Sequence, residues 1–264
     1  MIAPGRARRP APSSETELDE CPFDEGREDR TPPETFRVGS ETSWTVRVVP
    51  NLYPAFEQQE VVVHTPRHVR TFAELTDEEV GAVTTAWRER TAFAHSEGFA
   101  YVHALINEGR EAGASLPHTH SQLVWLREVP PAVAGEGPDG VSELLSDKRL
   151  WIGERDGVVA ATHRAGRLPY ELLIAPRDPG SDALETALLL LRDAVACLRA
   201  LEGDVPWNAW LHAGPRWHVE LVPRLTVQAG VELGAGIAIN TLAPEEAAQR
   251  LRNAARSQLR GVSP

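Results

Sequence analysis

The sequence predicts an α+β fold made of two related halves, each a mainly antiparallel sheet packed with a helix. Three observations carry this reading. Strand-like segments flank one long helical stretch in each half, the order of these elements repeats along the chain, and 264 residues at 42% hydrophobic composition can bury a real core.

Residues 1–35 are rich in Pro, Arg, Glu and Asp and close on Pro32-Pro33, so they are expected to form an extended N-terminal arm. Residues 43–49 alternate in strand fashion, with Trp44, Val46 and Val48 on one face, and stop at Pro50-Asn51. A second strand is expected over 60–64. Thr76 then reads as a helix N-cap. Asp77, Glu78 and Glu79 complement the positive end of the helix dipole, and Val80, Val83, Trp87 and Ala94 recur at helical spacing until Gly98. A strand over 101–106, a turn at Asn107-Glu108-Gly109, a small-residue loop and a strand carrying His118 through Leu126 complete the first half, 36–128. Residues 129–149, with their prolines, glycines and acids, are read as a linker, and 150–264 as the second half.

The second half repeats the order of the first. A strand ending in Pro176 mirrors the one ending in Pro66, a helix over 182–201 mirrors the helix after Thr76, and a strand over 207–212 mirrors 101–106. Trp217-His218-Val219-Glu220 lies over Thr119-His120-Ser121-Gln122, so His218 pairs with His120 and Glu220 with Gln122, while Arg216 stands where His118 would.

Composition excludes several functions. A formal charge of −11 argues against a general affinity for nucleic-acid backbones, which needs a basic surface. No apolar run approaches the roughly 20 residues that span a bilayer, and the N-terminus lacks the apolar segment of a secretory signal, so a cytoplasmic chain with no membrane partner is expected. Cys21 and Cys197 lie too far apart in sequence and context to suggest a disulfide framework.

The chemistry concentrates in His118-Thr119-His120-Ser121-Gln122. In a strand, alternate side chains share a face at roughly 7 Å spacing, so His118, His120 and Gln122 would project together. A solvated edge strand would explain such residues equally, but the apolar continuation Leu123-Val124-Trp125-Leu126 argues for a buried strand. A neutral imidazole whose other nitrogen donates to a fixed acceptor is a competent nucleophile toward phosphorus, and His120 fits that role. Gln122 suits a donor to phosphoryl oxygens, because an amide adds no negative charge beside a developing phosphorane. Upstream, Ala112-Gly113-Ala114-Ser115 offers small residues and a hydroxyl for a phosphate cradle, although the same string also makes an ordinary turn. Cys21, Asp24, His68 and His118 form a candidate S, O, N, N set for zinc; the alternative is a loop cysteine and aspartate with no metal, since Cys21 and Asp24 are not a C-x-x-C pair. His64, His95, His103 and His163 read as surface or satisfied histidines, and Trp207, Trp210 and Trp217 as core.

These residues carry a resemblance. Arg6-Ala-Arg-Arg9-Pro, Cys21-Pro-Phe, Thr31-Pro-Pro-Glu34, Pro50-Asn51-Leu-Tyr-Pro54, Thr65-Pro-Arg-His68, Asn107 through Gln122, Trp217-His-Val-Glu-Leu-Val-Pro-Arg224 and Ala229-Gly-Val-Glu-Leu-Gly-Ala-Gly236 span nearly the whole chain. Together they resemble the galactose-1-phosphate uridylyltransferase and ADP-glucose phosphorylase family of the histidine-triad superfamily. The resemblance implies two histidine-triad-like halves, the second degenerate, and a ping-pong transfer of a nucleoside monophosphate through His120. It implies contacts to nucleotide, phosphate or sugar from Arg6, Arg9, Asn51, Asn107, Gly113, Ser115, Gln122 and Glu232, with a nucleotide sugar and a sugar-1-phosphate as partners. It further implies structural Zn2+ and a homodimer.

The chain departs from the family pattern in two places. Asp24 replaces the second metal-site cysteine, and the 229–234 stretch lacks the tyrosine of typical galactose enzymes, which points toward the phosphorylase branch. Transfer between sugar-1-phosphates is the expected activity. Transfer to inorganic phosphate, a nucleotide hydrolase and a non-catalytic nucleotide-sugar binder are the alternatives; Gln122 in place of a third histidine argues against the hydrolase.

Overall fold

The computed structural model describes residues 21–137 and 140–261; residues 1–20 of the expected arm, with Arg6 and Arg9, lie outside them, whereas 21–35 lie inside. Contacts divide the chain into two compact units, Met1–Gly135 and Glu136–Pro264.

Unit 1 carries strands β1 (Phe36–Gly39), β2 (Trp44–Pro50), β3 (Gln58–Val63), β4 (Tyr101–Glu108) and β5 (His120–Leu126), with helix α1 (Asp77–Ser96) and the single turn α2 (Pro131–Ala134). The strands lie in the order β1-β2-β3-β5-β4, each antiparallel to its neighbours. Helix α1 starts where Thr76 closes a capping box: its hydroxyl accepts the Glu79 N–H at 3.2 Å and the Glu79 carboxylate accepts the Thr76 N–H at 2.8 Å. Such a cap satisfies two orphan donors and contributes about 1 kcal/mol. The helix ends before Gly98, whose φ of +82° a side chain would resist.

Two polar contacts fasten α1 to the sheet. Trp87 Nε1 donates to Ser121 Oγ at 2.8 Å, and Arg90 makes a buried bidentate pair with Glu60 at 2.8 and 3.0 Å. Removing one member of such a pair strands the other charge and costs roughly 3–5 kcal/mol. Because Ser121 turns toward α1, its neighbours His120 and Gln122 face the other side of the sheet. There they stand opposite Val63 and Val61 of β3, and Gln122 stands opposite Leu105 of β4.

The structure corrects the first-half reading in three details. Strand β1 was not anticipated. Strand β4 runs on through Glu108, so the turn begins after the predicted Asn107. Strand β5 begins only at His120, because Thr119 N–H donates to Val69 O at 2.7 Å and its carbonyl accepts His64 N–H at 3.4 Å, which bends His118 out of the ladder.

Unit 2 carries β6 (Trp151–Arg155), β7 (Val158–Thr162), β8 (Leu172–Pro176), β9 (Trp207–His212) and β10 (His218–Pro223), with α3 (Gly140–Ser146), α4 (Leu184–Glu202), α5 (Gly230–Ala235) and α6 (Pro244–Gly261). The order β6-β7-β8-β10-β9 repeats that of unit 1 strand for strand, and the long helix follows the third strand in both. The β6–β7 hairpin, turning at Asp156-Gly157 with φ of +48° and +79°, was not anticipated. The stretch expected to be linker holds α2 and α3, and Val141, Leu144 and Leu145 of α3 pack with Val159, Ala161, Leu173 and Ala175. With α3 on one face and α4 packed against the same strands, every residue of β7 and β8 is buried. Among the described residues no helix is long and apolar enough to cross a membrane.

Candidate active site

His120 is 5% exposed at the start of β5, and the Phe23 ring meets its ring edge to face with the centroids 5.5 Å apart. Its Nδ1 lies 2.8 Å from the His118 carbonyl oxygen. A carbonyl only accepts, so Nδ1 carries the proton and the lone pair of the neutral ring is on Nε2. Extending the β4–β5 register one residue beyond Ile106↔Ser121 places Asn107 across from His120, on the same face.

The orientation of Gln122 follows from a chain of contacts that starts at the backbone. Ala55 N–H donates to Gln59 Oε1 at 2.9 Å, which turns the Gln59 amide nitrogen to Gln122 Oε1 at 2.6 Å. Gln122 therefore presents its NH2 group, which has no partner among the described residues. Asn51 is fixed in the same manner: its Oδ1 accepts the Tyr53 N–H at 2.9 Å, leaving the amide NH2 as the outward group.

The small-residue loop differs from the expected cradle. Ala112, Gly113 and Ala114 spend their N–H groups on Gly109 and Arg110 carbonyls at 2.9–3.2 Å, with Gly113 at φ +92° closing the turn. These three donors are therefore not available to an anion. Ser115 alone in the string makes no hydrogen bond to the described residues, so the hydroxyl survives as a donor where the backbone does not.

Cys21, Asp24, His68 and His118 come together, their ligand atoms all within 4.8 Å of one another. His118 Nε2 faces the Thr65 carbonyl at 2.9 Å and donates to it, which leaves the Nδ1 lone pair toward Asp24 Oδ1 at 3.1 Å and Cys21 Sγ at 3.8 Å. His68 Nδ1 lies 2.7 Å from the same Asp24 oxygen. Burial holds the His118 imidazole below its ordinary value, against the raising effects of Thr65 and Asp24, and so favours the neutral form. Burial also pushes the Cys21 thiol up to about 11, with the Asp24 charge adding to it. A buried lone pair aimed at a carboxylate beside a thiol fits a tetrahedral cation: two imidazole nitrogens, one sulfur and one oxygen are zinc donors. His118 thus belongs to this set and His120 does not, although only one residue separates them.

Sequence reasoning missed a second set. Glu136, His212, His218 and Glu220 of unit 2 also bring their ligand atoms within 4.8 Å. His218 repeats the His120 contact, its Nδ1 lying 2.9 Å from the Arg216 carbonyl, and its ring stacks on His212 at 4.7 Å. Burial alone would lower the His218 pKa, but Glu220, the Arg216 carbonyl and the Glu136 charge outweigh it and raise it. The signal for His212 was available in the β9–β10 register, which places it opposite His218. Nothing local marked Glu136.

Other predictions resolve differently. Of the two readings of His64, surface or satisfied, burial excludes the first: its Nδ1 lies 3.0 Å from Thr119 Oγ1, and its Nε2 has no partner among the described residues. Glu232 belongs to unit 2, where its carboxylate caps its own short helix through the Ala229 N–H at 3.0 Å. Trp207 is core, whereas Trp210 and Trp217 are only partly buried.

The family model described as galactose-1-phosphate uridyl transferase, N-terminal domain, matches residues 52–131, which include His120 and Gln122. ADP-glucose phosphorylase of Arabidopsis thaliana is 27% identical over 96% of this chain and 89% of its own length. Galactose-1-phosphate uridylyltransferase of Thermotoga maritima is 25% identical over 73% of each. Among solved structures, the Arabidopsis thaliana ADP-glucose phosphorylase with bound ADP-glucose superposes with a TM-score of 0.78 at 27% identity, covering 94% of this chain and 93% of that one.

Proposed function

We propose that this chain, which belongs to the galactose-1-phosphate uridylyltransferase and ADP-glucose phosphorylase family of the histidine-triad superfamily and is an enzyme of the nucleotidyltransferase type, exchanges sugar-1-phosphates on a nucleotide sugar through His120. The observation that carries this reading is the fixed tautomer of His120, which leaves Nε2 as the nucleophilic nitrogen beside an outward amide of Gln122. Nε2 would attack the α-phosphorus of the nucleotide sugar, forming an N–P bond as the bond to the sugar-phosphate oxygen breaks and sugar-1-phosphate leaves. The acceptor phosphate oxygen then attacks the same phosphorus and releases His120. Gln122 NH2, the Ser115 hydroxyl and the Asn51 and Asn107 amides are the neutral donors for phosphate and ribose oxygens, with Gly113 shaping their loop; Arg6, Arg9 and Glu232 complete the proposed contacts.

A second acceptor is favoured by a specific observation: the ADP-glucose phosphorylase matches nearly the whole chain, so inorganic phosphate is proposed alongside hexose-1-phosphate as the attacking group. Zn2+ on Cys21, Asp24, His68 and His118 would tie the segment before β1 to the entry of β5. A homodimer is supported by Val227, Val231, Leu233, Ile237 and Ile239, large apolar side chains 48–91% exposed on one short segment. Units 1 and 2 are read as an active copy and a degenerate one, since Glu220 sets a carboxylate where Gln122 sets an amide.

The test follows α-phosphate label from UDP-glucose and ADP-glucose onto protein, then into product with galactose-1-phosphate or phosphate as acceptor. Label on the wild type and none on His120→Ala is expected. Equal labelling of both would overturn the assignment, and release by water alone would favour a hydrolase.

A further inference from the structure

The two units share one strand order but carry different residues at corresponding places. In unit 1 the cation set draws on three segments: the one entering the first strand (Cys21, Asp24), the turn after the third strand (His68) and the residue two before the fifth-strand histidine (His118). The corresponding segments of unit 2 are α3 with its following turn, the turn after β8, and Arg216, whose carbonyl holds His218 as that of His118 holds His120. These three segments line a cavity of about 390 Å3, and their side chains have the opposite character: Ser142, Lys148, Arg177 and Arg216 gather around Trp151.

Among the described residues no carboxylate lines this cavity. Glu154 pairs with Arg177 in bidentate fashion at 3.0 Å, but among the described residues neither Lys148 nor Arg216 has an acidic partner. Arg216 Nε is buried without a hydrogen-bond partner among the described residues, and a buried unpaired donor costs free energy. Lys148 and Arg177 both lie over the Trp151 ring, at 5.5 and 4.8 Å, which holds two cations near each other in a chain whose net charge is −11.

We propose that unit 2 binds a phosphate-class oxyanion, either inorganic phosphate or the terminal group of a phosphate monoester, in the cavity bounded by Ser142, Lys148, Trp151, Arg177 and Arg216. The repeat has kept the location of the unit 1 cation set and inverted its charge. Arg216 supplies a directional donor and Lys148 a mobile charge, and the Ser142 hydroxyl adds a further donor. The proposal stands apart from the chemistry assigned to His120, because every residue in it belongs to unit 2 and none has a part in the transfer.

Calorimetric titration of the full chain with inorganic phosphate and, separately, glucose-1-phosphate tests it, with intrinsic tryptophan fluorescence recorded in parallel. Arg216→Gln and Lys148→Gln are each expected to weaken one binding event by about tenfold or more while any binding at the His120 site persists. The fluorescence response is expected to vanish in Trp151→Phe, since the anion draws both cations from that ring. Binding of phosphate but not glucose-1-phosphate would identify the free ion as the ligand, and equal binding would identify any phosphate monoester. Unchanged isotherms in both charge variants would overturn the proposal; should Arg216→Gln melt early, the exposed Lys148→Gln decides alone.

Discussion

His120 Nδ1 lies 2.8 Å from the carbonyl oxygen of His118, and the unit 2 counterparts His218 and Arg216 keep the same contact at 2.9 Å. A side chain that bonds the backbone two residues earlier in its own chain holds its tautomer without a second side chain. The neutral Nδ1–H form of His120 is therefore expected to dominate in the free enzyme. Imidazole nitrogen NMR of the full chain, assigned with His120→Ala, checks this; an Nε2–H tautomer would sink the assigned geometry. The same substitution removes the proposed nucleophile and is expected to lower kcat by about 10^4-fold or more without loss of fold.

Gln59 leads to a second expectation. Its amide is oriented by Ala55 N–H and in turn orients Gln122, so under the proposed function Gln59 would be a positioning residue rather than a donor to substrate. Gln122→Glu places a carboxylate beside the phosphorus and should cost about 10^2–10^3 in kcat, the range for losing one preorganised donor. Gln59→Ala should cost less, and Gln59→Glu, which keeps an acceptor for Ala55 but loses the donor to Gln122, should resemble Gln122→Glu. If Gln59→Glu matches wild type in kcat, the relay does not act.

The cation set supports a third. Metal analysis of the purified chain should find zinc that falls by one equivalent per chain in His68→Ala and in His118→Ala, and that is retained in Asp24→Cys. Each ~1 kcal/mol of lost binding should lower Tm by roughly 2–4 °C in a chain of this size. Unchanged metal content in both histidine variants would remove the site.

How much of this was legible in the sequence depends on the range of the forces involved. Helix α1 was readable because its cap is local: Thr76 and Glu79 are three residues apart, and the box they form needs nothing else. The β5 strand was readable from its apolar run, but its first residue was not, since His118 leaves the ladder through a bond from Thr119 to Val69, fifty residues away in sequence. The β6–β7 hairpin is marked only by Asp156-Gly157 between short apolar runs buried on both faces, a pattern without alternation. The unit 2 histidine set needs Glu136, brought from a stretch whose composition resembles a linker. The repeat itself was legible because strand order is preserved even where the functional residues have changed.

Glu79 supports a last prediction, one that couples the cap of α1 to the site. Its carboxylate accepts from Thr65 Oγ1 at 2.5 Å, from Arg67 at 2.6 and 2.9 Å and from Thr76 N–H, and the Thr65 carbonyl in turn accepts from His118. Burial alone would raise the Glu79 carboxyl, but the bonds from Arg67, Thr65 and Thr76 and the Arg67 charge outweigh it and hold it below its ordinary 4.5. Because the folded value is the lower one, the stabilisation is fully present above the unfolded pKa and fades as pH falls through the folded one. Glu79→Gln keeps the acceptor for Thr76 but removes the charge. It should lower Tm at neutral pH by a few degrees, the scale of about 1 kcal/mol in a chain of this size, and the gap from wild type should close as pH falls below the ordinary carboxylate range. Thermal melts at neutral and acid pH measure this directly. A gap that stayed constant across the range would mean that the Gln side chain, and not the lost charge, is responsible.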